Sequence, residues 1–265
     1  MLNRKGPSRR AVWVATGALV VIVIAIAALS QGHSSPESGS RGVSASNRQG
    51  APAAPAQNGG VPLVPTGSTL LATLRDTTPS YSAPGGPSNA LVPASWHGAP
   101  TILPVIESRQ GYVEVRLAQR PNESTTWLKA SSVTFTTTPF RIVVNLAKTH
   151  LYVYDHNRQV LAAPAGVGTA LAPTPTGRYF VAFFAQPPDP GYGPFVMVTS
   201  AHSNAITDWD DSGDAMVAIH GPLGEGARIG TTGAALSHGC IRLQLADQIL
   251  LRIVPAGSPI DIVAS

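Results

Sequence analysis

Residues 216–243 read Met216-Val-Ala-Ile-His220-Gly221-Pro-Leu-Gly-Glu-Gly-Ala-Arg-Ile-Gly-Thr-Thr-Gly-Ala-Ala-Leu-Ser237-His238-Gly239-Cys240-Ile-Arg242-Leu243. A short apolar strand ends on His220, a glycine-rich loop follows, and the loop closes on the only cysteine of the chain. Two of the seven histidines lie here. A lone cysteine is commonly a small buried hydrophobe, and a lone histidine is commonly a satisfied core or surface residue. The rest of the chain decides whether that applies.

The chain has 265 residues, enough for one to two domains. Charged residues make up 12%, and 26 glycines and 24 prolines make it rich in loops and small residues. That composition suits a mostly β exported protein with a minor helix. The net charge of +4 does not point to nucleic acid. Arg4, Lys5, Arg9, Arg10, Arg41 and Arg48 face only Glu37 within residues 1–50, and beyond them basic and acidic side chains nearly cancel. No basic groove interleaved with aromatics is present.

Residues 1–10 form a basic tail, expected on the cytoplasmic side. Residues 11–29 carry no charge. As a helix they would span about 28 Å, close to the ~30 Å of a bilayer core. The basic flank places everything after residue 30 outside the cell. A cleaved signal peptide is the competing reading, because Ala25-Ile26-Ala27 has the small-x-small form. The length of the apolar run favours an uncleaved membrane anchor. Residues 30–60 hold almost nothing apolar and are expected to be a flexible linker. Such a coil would span on the order of 30 Å.

Residues 61–135 are expected to be a small β domain. Runs at 70–74, 101–107, 111–117 and 127–133 are β-prone, and Val113, Val115 and Leu117 alternate with Glu114 and Arg116. Their spacing resembles a small bacterial SH3-like barrel. Residues 139–263 are expected to be the main domain. Strands are predicted at 141–146, 150–155, 159–167, 178–184, 216–220 and 260–263. Leu245, Ile249, Leu250 and Ile253 predict an amphipathic helix within 244–254. The Pro/Gly-dense stretch 185–200, with Tyr192 and Phe195, is a candidate lid or a plain surface loop.

Export changes the reading of Cys240. It has no internal disulfide partner in a compartment where cysteines are usually paired, and an unpaired cysteine there is to be read as reactive. A thiol needs a base or cation nearby, and His220 and His238 are available. In extended backbone His238 and Cys240 would share a face. Zinc is disfavoured because no CxxC or HxxxH pairing accompanies these residues. The acidic residues Asp208, Asp210, Asp211 and Asp214 lack an EF-hand pattern and suit a solvated loop.

His220-Gly221, sixteen intervening residues, and Ser237-His238-Gly239-Cys240-Ile241-Arg242-Leu243 resemble the signature of the L,D-transpeptidase catalytic domain. Thr174-Pro175-Thr176-Gly177 resembles the family's upstream segment, and Gly257-Ser258-Pro259-Ile260 its C-terminal end. Many members carry Asn where this chain has Arg242, which bears on the subgroup. The resemblance implies a β-sandwich catalytic domain and a cysteine acyltransferase acting on peptidoglycan stem peptides, without metal or organic cofactor. It implies Cys240 as nucleophile, His220 as base oriented by the Gly221 carbonyl, and His238 shaping the site. Ser237, Gly239, Arg242 and Tyr192 would contact substrate, with the N–H groups of Gly239 and Cys240 as candidate oxyanion donors. The implied reaction is 3→3 cross-linking of tetrapeptide stems; water as acceptor would give carboxypeptidase activity. A catalytically weak wall-binding protein is a second reading. A papain-like hydrolase is disfavoured because there the cysteine precedes its histidine.

Overall fold

The computed structural model describes residues 60–209, 213–231 and 233–265. The expected tail 1–10, the membrane segment 11–29 and all but the last residue of the 30–60 linker lie outside the described residues. Asp210 and Asp211 of the acidic cluster do so as well. Among the described residues no helix is long and apolar enough to cross a membrane.

Among the described residues, nine strands precede residue 139: β1 (Thr69–Leu74), β2 (Thr78–Tyr81), β3 (Ser88–Val92), β4 (Ser95–Trp96), β5 (Ala99–Pro100), β6 (Ile102–Arg109), β7 (Tyr112–Arg116), β8 (Thr125–Lys129) and β9 (Val133–Thr138). Seven of them form an antiparallel sheet in the order β3-β2-β8-β7-β6-β1-β9, and β4 and β5 make a separate short hairpin. The alternation at Val113 and Val115 buries both side chains completely.

Ten strands follow: β10 (Phe140–Asn145), β11 (His150–Asp155), β12 (Arg158–Pro164), β13 (Val167–Gly168), β14 (Gly177–Ala185), β15 (Val196–His202), β16 (Met216–His220), β17 (Ala235–Ser237), β18 (Ile241–Arg242) and β19 (Pro259–Val263). Eight run in the order β12-β11-β10-β19-β14-β15-β16-β18, and β13 pairs with β17. Strand β14 joins two halves of this sheet. Its first part, from Gly177 to Phe180, pairs with β19, and Val181 to Ala185 pairs with β15 across a bulge. Bulges bend a strand and let it turn a corner between sheet halves.

The long apolar run of β14 is buried on both faces. Tyr179 and Val181 enter a core with Ile142, Val153, Met197, Ile219, Ile241 and Ile260. Phe180, Ala182 and Phe183 face the other way, into an apolar cluster with Leu103 and Val115 of the first sheet and Leu117 just beyond β7. The two sheets thus share a continuous apolar layer.

The α-helix among the described residues, α1 (Leu245–Leu250), continues as a tighter turn through Ile253. Its buried face differs from the expected one. Leu245, Ile249, Leu250 and Ile253 are exposed, whereas Gln248, Leu251 and Val254 are buried. Gln248 tolerates burial because its amide nitrogen donates to the carbonyls of Tyr192 and Phe195.

Candidate active site

Strand β16 delivers His220, and β18 begins one residue after Cys240. The two strands are parallel neighbours, with Ile219 opposite Ile241 and His220 opposite Arg242. Side chains alternate across a sheet. Val217, Ile219 and Ile241 therefore enter the inner core, while Ala218, Cys240 and Tyr192 belong to the opposite apolar layer. His220 and Cys240 line one cavity of about 340 Å³. Every other predicted site side chain, namely Tyr192, Ser237, His238 and Arg242, lines the same cavity. Pro188, Ile206, Trp209 and Leu223 complete its apolar wall.

His220 is 2% exposed, and its Nδ1 lies 2.8 Å from the Gly221 carbonyl oxygen. A carbonyl only accepts, so Nδ1 carries the hydrogen and Nε2 holds the lone pair of the neutral ring. The Tyr192 ring packs at 4.6 Å between centroids. Gly221 is required by a close approach, because a Cβ there would stand 2.8 Å from the Tyr192 backbone carbon. Its N–H donates to the Tyr192 carbonyl at 2.8 Å, and the Leu223 N–H donates to Gly191 at 3.0 Å. The turn at Pro190–Tyr192 is thereby stitched to the strand end that carries His220.

This corrects half of the expected lid. Ala185, Gln186, Pro188 and Tyr192 do line the cavity. Phe195 does not, since it is buried in the inner core with Arg252 stacked on its ring.

Cys240 sits on a turn held from inside. Gly239 has φ +120°, a conformation that L side chains rarely adopt. Ser237 is buried, and its hydroxyl donates to the Cys240 carbonyl while accepting from the Gly239 N–H at 3.1 Å. Thr174 donates to the Gly239 carbonyl at 2.8 Å and accepts from the Gly168 N–H at 2.9 Å. Three expectations are revised by this geometry. The Gly239 N–H is already engaged, so the Cys240 N–H remains as the candidate oxyanion donor of the pair. The Ser237 hydroxyl is committed to the turn rather than directed at a ligand. The kink at Gly239 also removes the extended path that would have placed His238 beside Cys240. His238 is exposed at the rim, with its ring 5.4 Å from Trp209.

The electrostatics favour a neutral pair. Burial pushes His220 down from 6.5 to about 4, against the opposing pull of its bond to Gly221; nearby Arg242 lowers it further. Burial also pushes the Cys240 thiol up, with a backbone hydrogen bond from Ala218 and the charge of Arg242 acting the other way. At neutral pH the site therefore rests as thiol and imidazole. Arg242 is half-buried, and its Nε has no hydrogen-bond partner among the described residues. No group of three or more metal-ligating side chains occurs among the described residues.

Sequence reasoning missed Gln248 and assigned no role to Thr174. Thr174 lay within a segment already singled out for its resemblance, whereas Gln248 carried no local signal.

Fold and site together define a class: a mostly β domain with one small helix, presenting a thiol and an imidazole in a shared cavity. The model of the L,D-transpeptidase catalytic domain matches residues 139–262. A candidate L,D-transpeptidase of Bacillus licheniformis named YkuD is 33% identical over 127 residues, which is 48% of this chain and 67% of that relative. Among solved structures, an L,D-transpeptidase from Mycobacterium smegmatis is 16% identical, with a TM-score of 0.37, covering 58% of this chain and 91% of that one. One from Mycobacterium tuberculosis H37Rv is 15% identical with a TM-score of 0.37, covering 57% and 90%. The chain belongs to the L,D-transpeptidase catalytic domain family.

Proposed function

We propose that this chain is a peptidoglycan L,D-transpeptidase that works through an acyl group on Cys240. The observation that carries the reading is the pairing of His220, with Nδ1 tied to the Gly221 carbonyl, and Cys240 in one cavity. His220 Nε2 takes the thiol proton as Sγ attacks the carbonyl carbon of the third stem residue. The oxyanion is met by the Cys240 N–H. As the C–N bond breaks, the imidazolium returns its proton to the departing amine of D-alanine. A thioester remains. The side-chain amine of a second stem attacks it, His220 accepts a proton from that amine, and C–S cleavage releases a 3→3 cross-link. The proton then returns to sulfur. Water in place of the amine would make the reaction a carboxypeptidation.

Arg242, whose Nε has no hydrogen-bond partner among the described residues, offers a cation for a stem carboxylate. His238 and Tyr192 shape the rim and the wall beside His220. In this reading residues 11–29 anchor the chain in the membrane, 30–60 tether it, and the SH3-like unit and catalytic domain lie on the wall side.

The test incubates the full chain with disaccharide-tetrapeptide and follows products by mass spectrometry. Loss of D-alanine with formation of a dimer is expected. An absence of reaction, the same as in Cys240→Ala, contradicts the proposal.

A further inference from the structure

The wall of the cavity is held from outside the family-matched region. Between β7 and β8, the loop 117–124 reaches across to the segments that follow β15. Arg120 makes three contacts there. Its Nε donates to Asp214 Oδ1 at 2.9 Å, Nη1 to the Ser203 carbonyl at 2.9 Å, and Nη2 to the Ile206 carbonyl at 3.1 Å. Asn122 adds a two-way pairing with the backbone of His202, donating to its carbonyl and accepting from its N–H, both at 2.8 Å. The far side of Asp214 lies 2.7 Å from Nδ1 of His202, which is 1% exposed.

These contacts converge on cavity-lining residues. Ser203, Ile206 and Trp209 on one side, and Ala215 and Met216 on the other, line the cavity that holds Cys240. Trp209 in turn packs against His238. The Ser203 N–H donates to the Ala215 carbonyl at 2.8 Å, closing the base of this excursion. Burial alone would raise Asp214; hydrogen bonds from His202, the Ala215 N–H and Arg120 outweigh it and hold the carboxyl below its usual range. The carboxylate thus stays charged opposite the guanidinium.

We propose that Arg120, supported by Asn122, is a positioning residue for the reaction: it fixes the Ser203–Trp209 wall against which the donor stem peptide is bound. The first sheet is then a working part of the active site. The inference rests on the transpeptidase reading for its substrate and on the hydrogen bonds alone for its mechanical part. Arg120 reaches the wall through a planar fork with several donors, which Lys cannot reproduce. Displacing a substrate-positioning wall by about 1 Å costs on the order of 100-fold, so a partial loosening is expected to cost about tenfold in kcat/KM.

The experiment compares the full chain with Arg120→Ala and the milder Arg120→Lys by three readouts. Amide hydrogen exchange in 203–209 is expected to quicken in both variants, more in Ala, with the β10–β11 hairpin unchanged. Alkylation of Cys240 by iodoacetamide, a probe too small to need the wall, is expected to match wild type. D-alanine release from disaccharide-tetrapeptide is expected to show a raised KM with kcat changed little, and Lys to rank between wild type and Ala. Unchanged exchange in 203–209 overturns the inference, as does equal loss of alkylation and turnover. If wild type releases no D-alanine, the transpeptidase reading fails while exchange and alkylation still decide the mechanical part. If Arg120→Ala does not fold, Arg120→Lys is read by the same criteria.

Discussion

The resting protonation of the Cys240–His220 pair can be tested by the pH profile of alkylation. His220 lies at about 4 instead of 6.5 because it is buried. Forming its imidazolium in the resting site therefore costs about 3 kcal/mol more than in water. That alone reduces a thiolate–imidazolium pair about 300-fold, and burial of the thiol acts in the same direction. An ordinary thiol is a few per cent thiolate at pH 7; Cys240 has less. The assay measures the rate of iodoacetamide addition to the full chain from pH 5 to 9. The reading is unambiguous because Cys240 is the only cysteine. The rate is expected to climb about tenfold per pH unit without a plateau. His220→Ala is expected to leave that slope intact. A plateau between pH 5 and 8 that vanishes in His220→Ala would refute the neutral-pair argument.

Three further outcomes follow from the same geometry. His220→Ala should abolish D-alanine release, whereas His238→Ala, altering an exposed rim residue, should weaken it only severalfold; equal losses in the two would overturn the division of roles. Ser237→Ala removes one acceptor and one donor from the turn beneath Cys240, and should lower stability by about 1–3 kcal/mol in chemical denaturation and reduce turnover more than substrate affinity. His220 is depressed in the folded state, so between pH 6.5 and about 4 the unfolded chain binds a proton that the folded chain refuses. Stability should fall across that window as pH drops, by up to about 3 kcal/mol. His220→Gln should flatten the fall, measured by denaturation midpoints at pH 7 and 4.5. Asp214, held below the usual carboxylate range, adds its loss only at lower pH.

The parts of this fold that announce themselves locally were legible in the sequence. Strands β7, β10, β11 and β16 alternate or run apolar, and they fall within one or two residues of the predicted spans. Strand β15 escaped notice because Thr199, Ser200 and His202 break the apolar pattern, although all three are buried. The sheet accepts Thr199 and Ser200 by pairing their hydroxyls, and His202 sets its Nδ1 against Asp214. Thr199 donates to the Val217 carbonyl and Ser200 accepts from the Phe180 N–H. The helix was misjudged for the converse reason. A pattern rule buries the apolar stripe, yet here Gln248, whose amide nitrogen donates to the Tyr192 and Phe195 carbonyls, takes the inner face and Leu245, Ile249 and Leu250 face solvent.

At the site, His220, Gly221 and Cys240 were legible because their order and spacing resemble a known signature. What the spacing could not carry was geometry within the turn: which N–H is already engaged and where His238 points. Nor could it reach Arg120 and Asn122, whose partners lie 80 or more residues away. No local pattern encodes such contacts.

The central claim is that Cys240 carries the acyl group. Intact-mass and peptide-mapping spectrometry of the full chain, quenched in acid during turnover with disaccharide-tetrapeptide, tests it directly. The account predicts an adduct equal to the stem donor minus D-alanine, mapped to Cys240 and absent from Cys240→Ala. Cross-linked product formed with no adduct on Cys240, or formed equally by Cys240→Ala, would contradict it.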